Sequence, residues 1–242
     1  MKNSVTPYNQ EDSKKKQVTE MFDGISTEYD ALNRKVSLGI DVKWRRRVVD
    51  LLIPKKPESI LDIATGTGDL ALALTATRAS RIIGLDISAG MLSIGKDKVK
   101  AENLENTIEM VIGDSEALTY EENSFDAVTV AFGVRNFENL ELGLSELFRV
   151  LKPGGTLVVL ETAVPTSFLF KQGYKFHTQV IIPLMGKLFT RDQAAYKYLS
   201  DSAAVFPHGK QFNNILEKMG FIEVEDNPQT LGVASIYCAT KP

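Results

Sequence analysis

Residues 61–70 read LDIATGTGDL. A short apolar run leads into Ala64, Gly66 and Gly68, spaced two apart, with Thr67 between the glycines. Small residues at that pitch let backbone N–H groups approach a ligand where any Cβ would clash. Asp86 stands 18 residues past Gly68, at the end of RIIGLD and just before Ile87. At the end of a second strand, a carboxylate can accept hydrogen bonds from both hydroxyls of a ribose. A third cluster, GDSEAL, puts Asp114 and Ser115 where an adenine amino group would find a carboxylate.

The glycine turn alone does not choose the nucleotide, since GTGDLA also satisfies the dinucleotide fingerprint with alanine as its last member. Asp62, just before the turn, discriminates. A carboxylate there repels a pyrophosphate but suits the ammonium of a methionine moiety. The expected ligand is therefore S-adenosyl-L-methionine, with an NAD-dependent oxidoreductase as the rival of a different class. A further rival is a non-catalytic module of the same fold, for which an intact glycine turn and Asp86 would be unnecessary.

These residues need a scaffold. From Ser59 onward, short apolar runs alternate with helical periodicity: SILDIA, RIIGLDI, IEMVIGD, FDAVTVAFG and TLVVLET, with helices expected near 89–101 and 140–150 between them. That alternation specifies an α/β fold with a doubly wound, mostly parallel sheet. A helix near 210–219 and the close pair FIEVEDN and GVASIYCATK predict an antiparallel finish. Before the sheet, Val18, Phe22, Ile25 and Tyr29 fall at helical spacing, and the pattern breaks at SLGID. The chain divides on this reading into a helical cap at 1–57, a ligand-binding core at 58–163, an insertion at 164–206 and a closing unit at 207–242, all in one domain.

The 242 residues carry a formal net charge of −3, which argues against nucleic acid as the partner. The single cysteine, Cys238, excludes an internal disulfide and a multi-cysteine metal site, and suggests a reduced, cytoplasmic setting. No stretch approaches the ~20 apolar residues of a membrane span.

The strings LDIATGTGDL, GLDIS, GDSEAL and RVLKPGG resemble the class I S-adenosylmethionine-dependent methyltransferases. The further strings FGVRN, FDGISTEYD, SLGIDVKWRR and AYKYLSDSAAVFP are similar to those of the quinone-biosynthesis C-methyltransferase family, from about Val18 onward. The resemblance implies a seven-stranded Rossmann-like sheet and C-methylation of demethylmenaquinol, or alternatively of a benzoquinol precursor of ubiquinone. Two positions depart from the family pattern: Tyr237, where histidine is frequent, and Ala131, where some members carry serine.

Such chemistry needs no metal. It needs a ring aligned with the methyl donor and a group that stabilises a phenolate. Arg135 is expected to supply the second, with Asn136 positioning it. The insertion is rich in aromatic and aliphatic residues, which suggests a lid over an apolar ring and isoprenoid tail. Tyr174 and His177, three apart, would share one helical face, and His177 is a candidate proton acceptor. A long-tailed quinol resides in a bilayer, so transient contact of the insertion and of Lys43 to Arg47 with the inner membrane surface is expected. Oligomeric state is not legible.

Overall fold

The computed structural model describes residues 5–8, 11–165, 170, 172 and 192–242. Two helices come first, α1 (Lys14–Val36) and α2 (Ile40–Leu52). The expected break between them is real: Leu38 and Gly39 both take positive φ, 53° and 74°, which no helix continues. Then follow β1 (Ser59–Ile63), α3 (Asp69–Leu74), β2 (Arg81–Asp86), α4 (Ala89–Ala101), β3 (Ile108–Ile112), β4 (Phe125–Ala131), α5 (Leu140–Val150) and β5 (Leu151–Thr162). After the insertion come α6 (Gln193–Val205), α7 (Lys210–Lys218), β6 (Ile222–Gln229) and β7 (Ala234–Thr240).

The seven strands lie in the order β3-β2-β1-β4-β5-β7-β6. The first five are parallel, and β7 runs antiparallel to both β5 and β6. The order reverses between β1 and β4, so a crevice opens at the carboxyl ends of those strands, where α/β sheets bind ligands.

Strand alternation feeds two cores. Leu61 and Ile63 of β1 face α5 and α7 through Leu144, Leu147, Phe212 and Leu216. Ile60 faces the other way, toward α2, α3 and α4 through Val49, Leu74 and Leu92. A third cluster joins α1 to α4 and α6 through Met21, Ile25, Met91, Tyr196 and Tyr198. Thus α1 packs over the carboxyl edge of the sheet.

Candidate active site

The turn after β1 has the conformation its small residues permit. Ala64, Gly66 and Gly68 have φ of 51°, 58° and 81°. The Gly68 N–H donates to the Thr65 carbonyl at 2.9 Å, which closes the turn. A Cβ built on Gly66 would meet no protein atom within 4 Å. Gly66 instead borders a cavity shared with Ala64, Asp86, Ile87, Asp114 and Ser115. That cavity is a cradle for a ligand lying against bare backbone.

Asp86 ties the cradle together. Its carboxylate accepts the Gly66 N–H at 2.8 Å and the Ser88 N–H at 2.9 Å. Burial raises its pKa, and the amide hydrogen bonds oppose that rise. Asp86 also borders the cavity.

Four of the expected ligand residues also meet groups of the protein itself. Asp62 does not border the cavity. It follows Ile60 onto the α2–α3 face of β1, is 1% exposed, and accepts the hydroxyls of Thr65 and Thr129, each at 2.6 Å. Burial pushes its pKa up to about 6 despite both hydroxyls. Asp62 therefore braces the turn from beneath through Thr65. Thr67 is also turned inward, donating to Asp30 at 2.6 Å and accepting from Lys98 at 3.1 Å. Gly68 sits against Met110 and Gly95, where it starts α3. Asp114 does border the cavity, but one oxygen is held by Lys15 at 2.6 Å and the other by the Glu116 N–H at 2.9 Å.

Lys15 belongs to α1, whose part in the site the spacing did not disclose. Val18, Phe22 and Tyr29 of α1 also line the cavity. Asp23 accepts the Ser88 hydroxyl at 2.6 Å and the Gly90 N–H at 2.8 Å, clipping α1 to the start of α4. At the other end, the Lys14 Nζ donates to the carbonyls of Arg135 and Phe137, both at 2.8 Å. Burial, followed by the nearby Arg135 charge, pushes its pKa down to about 8.

Beyond β4 the chain turns through Phe132, with φ of 58°, into a single helical turn, Val134–Asn136. Gly133 allows it: a Cβ there would lie 2.5 Å from that of Ala64. Arg135 is 7% exposed and pairs at 2.6 Å with Glu161 of β5, which is 0% exposed. The same Nη1 donates to the Phe132 carbonyl at 2.7 Å, while Nε is buried without a partner. So the guanidinium is fixed by an ion pair that no local pattern announces. Asn136 accepts the Tyr198 hydroxyl at 3.1 Å and borders the first cavity.

A second, larger cavity adjoins the first. Its walls are largely apolar, including Val36, Trp44, Leu199, Ala203 and Val233, and Arg135 opens onto it. Tyr29 and Phe132 line both cavities and form the partition between them. Tyr174 and His177 lie outside the described residues. Tyr237 borders neither cavity: it is fully buried, accepts the Gly209 N–H at 2.8 Å and packs on Phe212. The departure at this position is therefore an internal one. Ala131 does line the first cavity, where a serine would have added a hydroxyl.

The strand order, the glycine cradle and Asp86 at the end of β2 define a class I S-adenosylmethionine-dependent methyltransferase. A SAM-dependent methyltransferase from Thermotoga maritima has the same fold, with a TM-score of 0.65 over 93% of this chain and 99% of that one at 20% identity. The [4+2]-cyclase SpnF does too, at 0.60 and 18% identity, over 94% of this chain and 97% of its own. Fold alone thus leaves the chemistry open. The sequence is more specific: residues 10–241 match the model of the ubiE/COQ5 methyltransferase family, and the chain belongs to that family. A demethylmenaquinone methyltransferase of Bacteroides fragilis is 44% identical over 238 residues, 98% of this chain and 97% of its own length. Another, from Porphyromonas gingivalis, is 41% identical, covering 98% of each chain. The ubiquinone/menaquinone biosynthesis C-methyltransferase UbiE of Geobacter sulfurreducens is 41% identical over 94% of this chain and 90% of its own.

Proposed function

We propose that this chain transfers a methyl group from S-adenosylmethionine to a ring carbon of demethylmenaquinol, giving menaquinol. The observation that carries the reading is the pair of cavities, one built on bare glycine backbone and one largely apolar, that share Tyr29 and Phe132 as lining among the described residues. The names of the relatives support the naphthoquinol as the ring.

The bound cofactor supplies an electrophilic methyl on a sulfonium. Gly66, Asp86, Ile87, Asp114 and Ser115 hold the nucleoside portion, with Asp62, Thr67 and Gly68 keeping the turn in shape behind them. Arg135 faces the ring oxygen next to the accepting carbon and favours its ionised form. The Glu161 carboxylate offsets part of that charge, so the effect of Arg135 rests on directed N–H groups rather than on net charge. Asn136, held by Tyr198, keeps the Arg135 loop in register. The apolar walls exclude water that would compete for the phenolate. The helical cap, core, insertion and closing unit act as one domain, and Tyr174 and His177 of the insertion are candidates for a part in the proton transfer.

A membrane role follows the same logic. Leu38 and Leu231 rim the apolar cavity and are 81% and 63% exposed, beside exposed Lys43, Arg46 and Arg47 on α2. Arg45 does not join them, being paired inward with Asp41. Exposed apolar residues at the cavity and exposed basic residues on the helix that helps line it suit brief contact with an anionic bilayer. No helix among the described residues is long and apolar enough to cross a membrane. Flotation with anionic vesicles at low salt should carry the protein upward, and Leu38→Asp with Leu231→Asp should prevent it; no flotation at low salt removes the membrane role. For the function itself, S-adenosylhomocysteine should raise the melting temperature while NADH leaves it unmoved. A short-tailed demethylmenaquinol should then release S-adenosylhomocysteine from S-adenosylmethionine, and stabilisation by NADH alone would overturn the assignment.

A further inference from the structure

Four buried side-chain polar atoms among the described residues have no hydrogen-bond partner. Two belong to residues that line the large apolar cavity: Arg135, through Nε, and Tyr196, through its hydroxyl. Orphaned groups of this kind are uncommon, because each forfeits the hydrogen bonds it had in water. Tyr196 is 3% exposed, and α6 brings it there two residues before Tyr198, whose hydroxyl reaches Asn136. One helix thus sends one tyrosine to the loop that carries Arg135 and another, unpartnered, to the wall of the cavity.

We propose that Tyr196 is a positioning residue that hydrogen-bonds the second ring oxygen of the substrate, the one remote from Arg135 and para to the ionising hydroxyl. The inference rests on the reading of the large cavity as a quinol site. A 1,4-diol presents two oxygens on opposite edges of one ring. The cavity offers two polar groups that lack a partner in a wall that is mostly apolar, and a ring with an oxygen on each edge has one for each. Burial, with Tyr29 nearby, raises the Tyr196 pKa, which keeps the hydroxyl protonated and able to donate. The role is selection for a para-dioxygenated ring, in one orientation that presents the carbon beside the Arg135-facing oxygen to the partition.

The test compares two small probes by calorimetry on the full chain saturated with S-adenosylhomocysteine: 1,4-dihydroxynaphthalene kept reduced, and 1-naphthol, which lacks the second hydroxyl. Trp44, the single tryptophan, lines the cavity and gives a fluorescence readout of the same binding. The wild type should bind the diol about tenfold more tightly than the mono-ol, the worth of one buried hydrogen bond. Tyr196→Phe should lose that preference, binding the diol as the wild type binds the mono-ol. Its melting temperature should hold or rise, since an unsatisfied buried hydroxyl has been removed. With a demethylmenaquinol substrate, the same variant should raise KM about tenfold and leave kcat nearly unchanged.

Equal loss of affinity for both probes, or no preference in the wild type, overturns the role of Tyr196. A wild type that discriminates between the probes yet methylates no quinol would overturn the proposed function and leave Tyr196 in place. Methyl transfer without discrimination would do the reverse.

Discussion

Arg135 and Glu161 illustrate how a single pair changes the expected behaviour of a variant. Removing the guanidinium alone strands a fully buried carboxylate, a loss on the order of 3–5 kcal/mol of stability. Arg135→Ala should therefore melt early, whatever its part in the chemistry. The informative variant is Arg135→Gln with Glu161→Gln, which removes both charges together. It should stay folded, bind S-adenosylhomocysteine normally and lose about a hundredfold or more in single-turnover rate, by analogy with an oxyanion donor; a normal rate would remove Arg135 from the chemistry. Asp86→Ala should weaken cofactor binding by about 1.5–3 kcal/mol for each charged hydrogen bond lost, read by calorimetry. Asp62 carries a pH signature. Its folded pKa of about 6 exceeds the ordinary value of 3.8, so the native state binds the proton more tightly. The stability associated with protonated Asp62 is complete below about pH 4 and is lost as pH rises through 6. Relative to Asp62→Asn, the wild type should lose on the order of 3 kcal/mol between those limits in denaturant titrations. At this scale, Gly66 and Asp86 were legible because their spacing dictates backbone approach. The direction of the Asp62 carboxylate was not, because it depends on Thr129, a neighbour 67 residues away. Glu161 and Tyr196 escaped for the same reason: each meets Arg135 or its cavity only through tertiary packing.

Helix α1 is the element whose role the sequence concealed most. Its apolar spacing predicted a helix, and a helix is what forms, but periodicity does not say what the apolar face covers. The structure lays it across the cofactor cavity and fastens it through Asp23, Asp30, Lys14 and Lys15. If α1 covers the exit as well as the wall, ligand release moves it, and the Asp23 contacts set how easily. Asp23→Ala, which frees the Ser88 and Gly90 contacts, should speed S-adenosylhomocysteine release several-fold in stopped flow and lower amide protection across α1. Unchanged release would show that the ligand exits without moving the helix. The opposite lesson comes from β5. Its apolar core TLVVLET was plain, yet the strand begins five residues earlier at Leu151, because KPGG is accommodated by a register shift against β4.

For the whole molecule, alternating strand and helix signals were enough to specify the doubly wound sheet, and with it the crevice between β1 and β4. The apolar chamber was legible only in part: the insertion was expected to cover an apolar ring, and Phe170, Leu199 and Ala203 line the chamber, but its other walls come from α1, α2 and the segment before β7, which share no local pattern. On the proposed reading the two chambers hold donor and acceptor, which meet beside Tyr29 and Phe132, the residues that line both, and a methyl group passes there from sulfur to a ring carbon. The direct measurement supplies S-adenosylmethionine labelled with carbon-13 at the methyl, together with a short-tailed demethylmenaquinol, and follows the label by NMR. The account predicts one labelled methyl per S-adenosylhomocysteine released, on the ring carbon beside a hydroxyl. Label found on oxygen, or S-adenosylhomocysteine formed without a carbon-bound methyl, would contradict it.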